Sequence, residues 1–444
     1  MQFIRNILGQ DKRGARRPLL GLLAITLTAL VCACGGGSGG GGTSPTTYTA
    51  TCADSTTRTS MVSQADAQAQ CPSKVYSVIC ADQSTKTSTV SQAAANALCP
   101  VGVVTSVATS TYTDEKLVAF DQLNSDRAQC GFGKLQQNAK LDLAAQGHAD
   151  WLAVNPNYGN RHVQDPSTGK GVVTGAQPDD RLIYTGYFTA PVSTLGSDGK
   201  YRLIPGNYVG SGEVIGVPAW GAALTCPYCT NNASYGNTEL SARTGVRQLY
   251  ASVYHLYGLM AGERDVGFGV ATGDAAIGGL ARFIKNVVID TGTVTGWVRQ
   301  SIPADTVLTF PCQGIAGVTP VFGGESPEPF PSRGSATEYG QPIYVMGADG
   351  NTVTLNAASS TMTPAGGVPV ATTIFNSAVD PLPSTDSRRV KNNQVFLVPT
   401  QRLLDNTTYT VVLNGTNTGM VTSANPTGAF TRTFTFTTAT NTTL

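Results

Sequence analysis

The sequence has few charged residues and very little histidine. Charged residues make up 13% of the 444 residues, the net charge is +1, and there are three histidines. Nucleic-acid-binding domains carry clusters of Lys and Arg on one face, so the composition argues against nucleic acid as a partner. Abundant Gly and Thr with few charges is a composition often seen in exported β-rich proteins.

The N-terminus lacks a hydrophobic run long enough for a stable membrane helix. A basic segment ending at Arg17 precedes PLLGLLAITLTALVCA, a short apolar run that is typical of a signal peptide. Val31-Cys32-Ala33-Cys34 resembles the bacterial lipobox, in which the cysteine after the cleavage site is acylated. We therefore predict a lipoprotein signal peptide over 1–33 and lipid attachment at Cys34. The alternative is ordinary cleavage with release of a free secreted product.

The predicted mature chain begins with a flexible Gly/Ser-rich tether over 34–47. The resemblance to the lipobox implies an exported protein that is lipid-anchored to the bacterial cell envelope, at the outer membrane or cell surface, with the membrane as a partner. Export makes disulfides expected. Eight of the ten cysteines remain after Cys32 is removed and Cys34 is acylated, which is an even number.

Residues 48–107 contain two copies of a repeat with a period of 28 residues. YTATCADSTTRTSMVSQADAQAQCP and YSVICADQSTKTSTVSQAAANALCP align without gaps. Each copy is predicted to form a strand, a turn, a second strand and a short helix, and Ser63 with Asp66 fits a capping box. Units this small need a covalent staple, and the simplest pairing lies within each copy: Cys52–Cys71 and Cys80–Cys99. The repeats are either spacers, which we favour, or small binding modules.

The main domain is predicted over 108–300 and begins with helical periodicity. Leu141, Ala145, His148 and Leu152 follow a spacing of four, three and four residues, which places them on one face of a helix. This places His148 on an apolar face. We interpret it as a hydrogen-bonded core histidine rather than a ligand.

The C-terminal third changes character. Six prolines indicate an irregular linker over 301–335, and alternating segments such as TYTVVLNG and FTRTFTFTT predict short strands over 336–444. Five or more short strands in this length favour an antiparallel β-sandwich. The segment VPTQRLLDNTTYTVVLNGT resembles the immunoglobulin-like modules of bacterial surface proteins.

The stretch ASVYHLYGLM, residues 251–260, contains the third histidine. If 246–260 is one helix, Val246, Tyr250 and Tyr257 share an apolar stripe, while His255 lies on the opposite side. This arrangement predicts that the tyrosines are core residues and that His255 faces a cleft.

Residues 117–300 carry an ordered series of segments: LNSDRAQCGFGKLQQNAKLDLAAQGHADWL, Arg161-His162, DDRLIYTGY, SGEVIG, VYHLYGLM, DVGFGVATG and KNVVIDTG. This series resembles the bacterial form of the CAP superfamily of cysteine-rich secretory, antigen 5 and pathogenesis-related proteins. The resemblance implies an α+β fold, a three-layer α-β-α sandwich, with a cleft formed by two histidines and one or two glutamates. The matching positions are His162, Glu213 and His255.

The chain departs from the family at several positions. Ser252 stands where some members have a further glutamate, Leu256 replaces an arginine, and Val253-Tyr254 replaces Pro-Gly. Arg181 and Tyr187 also match family positions, and we interpret them as a buried ion-pair residue and a packed aromatic residue.

Three kinds of chemistry remain open for His162, Glu213 and His255. They could bind Zn²⁺, act as base and orienting acid in hydrolysis, or form a structural hydrogen-bonded cluster. No HExxH motif is present, and Gly210-Ser211-Gly212 is followed by Ile215 where a phosphate-binding loop needs a third glycine. We favour binding of a metal ion or of a small apolar or peptide ligand. A hydrolase acting on peptide or envelope polymer, and an adhesion or spacer protein with a non-functional cleft, are the alternatives.

The last four cysteines have three possible pairings. Cys226-Pro-Tyr-Cys229 has the spacing of a redox motif, but it lies in a loop rich in Asn and Gly rather than at the start of a helix. We favour a local bridge between these two cysteines, which leaves Cys130 to pair with Cys312.

Overall fold

The computed structural model describes most of the chain after the N-terminal region. The described residues are 46–52, 56–72, 74–156, 161–167, 170–189, 191–195, 201–205, 207–216, 219–220, 241–277, 280–322, 325–331 and 338–440. They belong to two compact units, Met1–Pro72 and Ser73–Leu444. The fold is mixed, with helices and mainly antiparallel sheets, so the predicted α+β class is confirmed. None of the helices in these ranges is both long and apolar enough to cross a bilayer. The predicted signal peptide, Cys34 and the tether up to residue 45 lie outside the described residues.

Both repeats have the predicted strand–strand–helix order. In the first repeat these elements are β1 (Tyr48–Thr51), β2 (Thr57–Ser60) and α1 (Gln64–Ala69). In the second repeat they are β3 (Tyr76–Ile79), β4 (Thr85–Ser88) and α2 (Gln92–Asn96). The hydroxyl of Ser63 accepts a hydrogen bond from the Asp66 amide, and Ser91 does the same for Ala94. Each repeat contains its predicted disulfide, Cys52–Cys71 or Cys80–Cys99.

The central part of the second unit is a sheet in the order β5-β10-β11-β8, with a short β9 also paired to β11. Its helices are α3 (Asp114–Gln129), α4 (Ala139–Val154), α5 (Pro178–Tyr184), α6 (Ala242–Tyr250) and α7 (Val253–Leu259). Its strands are β5 (Gln136–Gln137), β6 (Pro191–Leu195), β7 (Tyr201–Pro205), β8 (Tyr208–Gly216), β9 (Ala219–Trp220), β10 (Asp265–Ile277) and β11 (Leu280–Val294). Strands β6 and β7 pair only with each other among these elements.

Helices pack on both faces of this sheet because β10 alternates small and large side chains. A Cβ atom at Gly267, Gly269 or Gly273 would lie within 2.3 Å of the backbone of α4, so only glycine allows this close approach. Phe268 points to the opposite face, where its ring packs edge-to-face against Phe120 of α3. The period of two along a strand therefore determines which helix each face contacts.

The prediction of one continuous helix over 246–260 is wrong. Helix α6 ends at Tyr250, and α7 starts after Ser252, whose backbone is extended. The side chain of Gln341 donates to the Tyr250 carbonyl at the end of α6, so a distant residue satisfies a helix terminus. The angular argument that placed His255 opposite Val246 therefore does not apply.

The C-terminal part forms two further sheets, in the orders β12-β14-β18-β17 and β13-β20-β19-β15, with β16 also paired to β19. The strands are β12 (Val307–Phe310), β13 (Ile315–Val318), β14 (Ile343–Gly347), β15 (Val353–Leu355), β16 (Thr361–Pro364), β17 (Thr372–Asn376), β18 (Gln394–Pro399), β19 (Thr408–Asn417) and β20 (Ala429–Thr438). A short 3₁₀ helix spans Thr418–Met420. Side chains of both sheets contribute to one buried core.

The segment 301–335 is not only the irregular linker that its prolines suggested. It supplies β12, which pairs with β14, and β13, which pairs in parallel with β20. Its prolines fall outside these two strands, where they disrupt no ladder hydrogen bond. The same hydrophobic core continues from these sheets to the helices, through pairs such as Tyr250 with Phe310.

The third described disulfide joins Cys130, after α3, to Cys312, between β12 and β13. This pairing is the one that the sequence favoured. Cys226 and Cys229 lie outside the described residues, so their bridge stays a prediction.

Removing the Cys130–Cys312 bridge should lower the free energy of unfolding of the second unit by about 2–4 kcal/mol, because the bridge closes a long loop in the unfolded chain. The bridged cysteines are 182 residues apart. Guanidinium unfolding of the chain with Cys130→Ala and Cys312→Ala measures this loss. The matched control, Cys52→Ala with Cys71→Ala, removes a bridge with a separation of 19 residues in the other unit. An unchanged main transition in the first variant would contradict the prediction.

Candidate functional site

The structure brings together the three residues that the sequence singled out. His162 lies between α4 and α5, Glu213 lies in β8, and His255 lies in α7. Nδ1 of His162 is 2.9 Å from Oε1 of Glu213, and the two histidine rings stack with centroids 6.4 Å apart. The two imidazoles are partly exposed, whereas the Glu213 carboxylate is buried. The three residues therefore form one cluster in the folded chain, although they are far apart in sequence.

The Glu213 carboxylate is held by a buried cation. Arg181 of α5 donates to Oε2 of Glu213 over 2.5 Å, and its side chain is fully buried. Burial alone would raise the pKa of Glu213, but the Arg181 guanidinium and the His162 hydrogen bond lower it to about 2. Because the carboxylate stays ionised, Nδ1 of His162 must carry the proton in their hydrogen bond. Arg181 is thus the buried ion-pair residue that the sequence predicted.

His148 is the satisfied core histidine that its helical position predicted. It is fully buried on α4, Nε2 is 2.7 Å from the Arg161 carbonyl, and Nδ1 is 3.1 Å from the Gln164 amide nitrogen. Burial lowers the pKa of His148 to about 4, so the ring is neutral at physiological pH. The predicted packed aromatic, Tyr187, is also buried, and its hydroxyl donates to Asp265.

His255 is oriented by Ser252 and by an acid that the sequence analysis did not identify. Nδ1 of His255 is 2.9 Å from the Ser252 hydroxyl and 3.1 Å from Oε2 of Glu325. The Ser252 hydroxyl donates its proton to the Leu249 carbonyl, so it accepts from His255. Ser252 is therefore a buried orienting group and not an accessible nucleophile.

Glu325 comes from the proline-rich segment and supplies a carboxylate beside His255. Its side chain is buried, and its oxygens accept from the backbone amides of Val253, Tyr254 and His255 at the start of α7. A carboxylate at a helix N-terminus satisfies unpaired amides and interacts favourably with the helix dipole. Glu325 therefore fixes both the first turn of α7 and the ring of His255.

Asp290 is a second acid that the sequence analysis missed. It lies on β11 directly opposite Glu213 of β8. Burial and the adjacent Glu213 raise the pKa of Asp290 well above its usual range. The protonated form is favoured because two buried carboxylates in contact cannot both ionise easily. The segment KNVVIDTG contained this residue, but only the strand register reveals its partner.

The histidines open onto a cavity of about 1300 Å³. Its lining includes residues of β8 and α7 together with Met346–Asp349, Arg388 and Lys391 of the C-terminal part, which form a second wall. The hydroxyl of Tyr254 donates to Asp380, and that of Tyr257 donates to the Ser387 carbonyl, which ties α7 to this second wall. The C-terminal part thus encloses the site instead of extending away from it.

The predicted zinc ligands do not fit one metal ion as they stand. Two imidazoles that share a tetrahedral Zn²⁺ have ring centres about 5 Å apart, given Zn–N bonds of about 2 Å, and these rings are 6.4 Å apart and nearly parallel. Both oxygens of Glu213 already accept hydrogen bonds. Among the residues that the structure describes, no group of three or more His, Cys, Asp or Glu side chains is arranged to hold a metal.

Comparison with known proteins adds no assignment. No protein-family model matches this chain, and no curated protein matches it significantly.

We expect Glu325→Gln to lower the free energy of unfolding by about 2 kcal/mol, because hydrogen bonds to a charged group contribute about 1.5–3 kcal/mol. Chemical unfolding of the full chain measures this change. Glu328→Gln is the matched control, since Glu328 lies in the same segment and accepts a hydrogen bond from the amide of Phe330. Equal losses in the two variants would show that Glu325 has no special role.

Proposed function

We propose that this chain is an exported bacterial lipoprotein with a CAP-type domain and an immunoglobulin-like C-terminal sandwich, and that it binds a small apolar or peptide ligand between them. The observation that carries the proposal is the pair of imidazoles, His162 and His255, each oriented by a buried carboxylate at one cavity. A protonated Nδ1 leaves the Nε2 lone pair of a neutral imidazole to accept a hydrogen bond from a ligand.

The packing of helices on both faces of the β5-β10-β11-β8 sheet supports the CAP assignment, and the two C-terminal sheets support the immunoglobulin-like one. The lipid anchor rests on the sequence around Cys34. Mass spectrometry of the membrane-extracted protein should find diacylglycerol on Cys34, and a soluble chain with another N-terminus would refute the anchor.

Native mass spectrometry of the purified mature protein tests ligand binding. We expect a bound species from cell extract or from a pool of short peptides and fatty acids. Its occupancy should fall at least tenfold in His162→Ala and His255→Ala. Lys170→Ala, an exposed position in the described chain away from the cavity lining, is the control. Unchanged occupancy in both histidine variants would exclude this cleft as the binding site.

Hydrolysis of a peptide or envelope polymer is a second candidate function. An imidazole whose Nδ1 is held by a carboxylate can act as a general base towards water through Nε2. Turnover of envelope peptides should then disappear in His162→Ala, and turnover that survives the loss of both histidines would come from another site.

A further inference from the structure

The second repeat holds the segment that follows β11 on the outer edge of its first strand. The Ile79 amide of β3 donates to the Gly296 carbonyl over 2.9 Å, and the Val298 amide donates to the Ile79 carbonyl over 3.2 Å. These two bonds form a parallel bridge between Ile79 and Trp297. One repeat of this chain therefore binds a short segment through the backbone of one strand residue.

The first repeat has the same edge. Thr51 of β1 is the counterpart of Ile79 at the period of 28 residues. The amide of Cys52 donates to the Thr56 carbonyl across the turn, and the equivalent bond is present in the second repeat. Because residue pairs of an antiparallel ladder alternate between bonded and non-bonded, Thr51 directs its amide and carbonyl away from β2, as Ile79 directs its own away from β4.

This position of the first repeat is open in the part of the chain that the structure describes. Thr51 is exposed, and neither its amide nor its carbonyl has a hydrogen-bond partner among the described residues. The preceding outward carbonyl, that of Thr49, accepts from the Gln64 side chain, as that of Ser77 accepts from Gln92 in the second repeat. Both repeats thus satisfy one outward carbonyl internally and leave the next position for another segment.

The segment that the second repeat holds has a defined shape. Gly296 has a φ of +99°, a conformation that favours glycine, and the Trp297 amide donates to the Val294 carbonyl, which closes a turn. The guanidinium of Arg264 lies 4.6 Å from the centroid of the Trp297 ring and donates to the Val298 carbonyl. The bound feature is therefore a glycine turn followed by an aromatic residue and by a residue that offers its backbone amide.

We propose that the first repeat is a docking module that holds the same kind of segment, a glycine turn followed by an aromatic residue, from another protein, by pairing with Thr51 on the outer edge of β1. The bonds of Ile79 are backbone bonds, so threonine at this position keeps both the donor and the acceptor. Strand edges bind peptide segments in this way, with main-chain bonds supplying the attraction. The proposal is independent of the cavity at His162 and His255.

A chimera tests whether the edge of the first repeat is competent. The sequence of residues 48–71 replaces residues 76–99, so that a copy of the first repeat faces residues 296–298 at the effective concentration of a single chain. Hydrogen exchange at the Val298 amide should stay within twofold of wild type. The same chimera with proline at position 79, which lacks the amide donor, should exchange at least tenfold faster there. Loss of protection in the first chimera would overturn the equivalence of the two edges and the proposal with it.

The full mature chain is then titrated to millimolar concentration with the acetylated peptide amide TVTGWVRQ, residues 293–300. NMR should show saturable shifts at the β1 amides, centred on Thr51. Methylation of the peptide amide at Val298, or Thr51→Pro in the chain, should weaken binding tenfold or more. The matched controls are methylation at Arg299, which is not a bridging position, and Thr57→Pro on the strand opposite Thr51. Both should change the affinity less than twofold.

The remaining outcomes also decide the proposal. Absence of a saturable shift in β1, or equal losses of affinity in Thr51→Pro and Thr57→Pro, would overturn it. Neither result bears on the proposed cavity ligand, since that proposal is tested by His162→Ala and His255→Ala.

Discussion

A chain that contains only residues 108–300 will fail to form a stable folded domain. Its boundaries are those that the sequence suggests, but the core of this region is shared with the C-terminal sheets. The ring of Phe132 stacks on Tyr344 with centroids 6.0 Å apart, and Tyr254 packs against Phe375. Removing residues 301–444 would expose Phe132, Tyr250 and Tyr254 and would remove Glu325 from the start of α7.

The expected effect is large because several aromatic side chains lose their packing at once. Fully burying one large apolar side chain contributes about 1.5–3 kcal/mol, whereas the whole stability of a domain is about 5–15 kcal/mol. Exposing three or four such side chains, and losing the Cys130–Cys312 bridge as well, removes most or all of that margin.

Calorimetry and one-dimensional NMR of the 108–300 fragment measure this outcome, and we expect no cooperative transition and poor dispersion. A chain that begins at Ser73 is the control, because the first repeat belongs to a separate compact unit, and it should keep the main transition. A sharp transition in the 108–300 fragment would mean that the shared core is dispensable.

The sequence predicted local features well, and the structure shows why other features escaped it. The repeat disulfides, the capping serines and the buried position of His148 follow from spacing within a few dozen residues. The break between α6 and α7 does not, since Gln341 satisfies the last turn of α6 and Glu325 satisfies the first turn of α7. Groups that are 70 or more residues away decide that boundary.

The candidate site shows the same division. The resemblance to the CAP superfamily suggested His162, Glu213 and His255, and these residues do meet. Ser252 suggested a missing acid, but the carboxylate beside His255 comes from Glu325 in a segment interpreted as a linker. Asp290 became visible only through the register of β8 and β11. Contacts between distant segments therefore limited the prediction of the site more than the recognition of individual residues.

Arg181→Met should lower the free energy of unfolding by about 3–5 kcal/mol at pH 7, because it leaves the buried Glu213 carboxylate without its cation. Arg181 also donates to the carbonyls of His162 and Gly175, so the loop that carries His162 loses support. The same substitution at Arg402 is the control. Arg402 pairs with Asp405 near the surface, where such pairs contribute about 0–1 kcal/mol.

The pH dependence of this loss distinguishes the ion pair from simple packing. The folded-state pKa of Glu213 is lowered to about 2 from an ordinary value of 4.5. The stabilisation that the ionised Glu213 contributes to the fold is therefore fully present above about pH 5 and is lost as the pH falls towards 2. Asp290 has the opposite effect on stability. Because its folded-state pKa is raised, its contribution to stability falls as the pH rises above 3.8, the ordinary pKa of an aspartate. Arg181 lowers the pKa of Asp290 as well as that of Glu213, so its removal favours the protonated forms of both acids, and the difference in stability between wild type and Arg181→Met should be largest near neutral pH and should shrink as the pH falls towards 2.

Adding Glu213→Gln to Arg181→Met should restore part of the stability at pH 7, because a neutral amide costs less to bury than an unpaired carboxylate. Urea unfolding of the single and double variants at pH 7 and pH 3.5 gives the four values that are needed. If Arg181→Met costs the same at both pH values, or no more than Arg402→Met, the Arg181–Glu213 pair does not carry the proposed charge interaction.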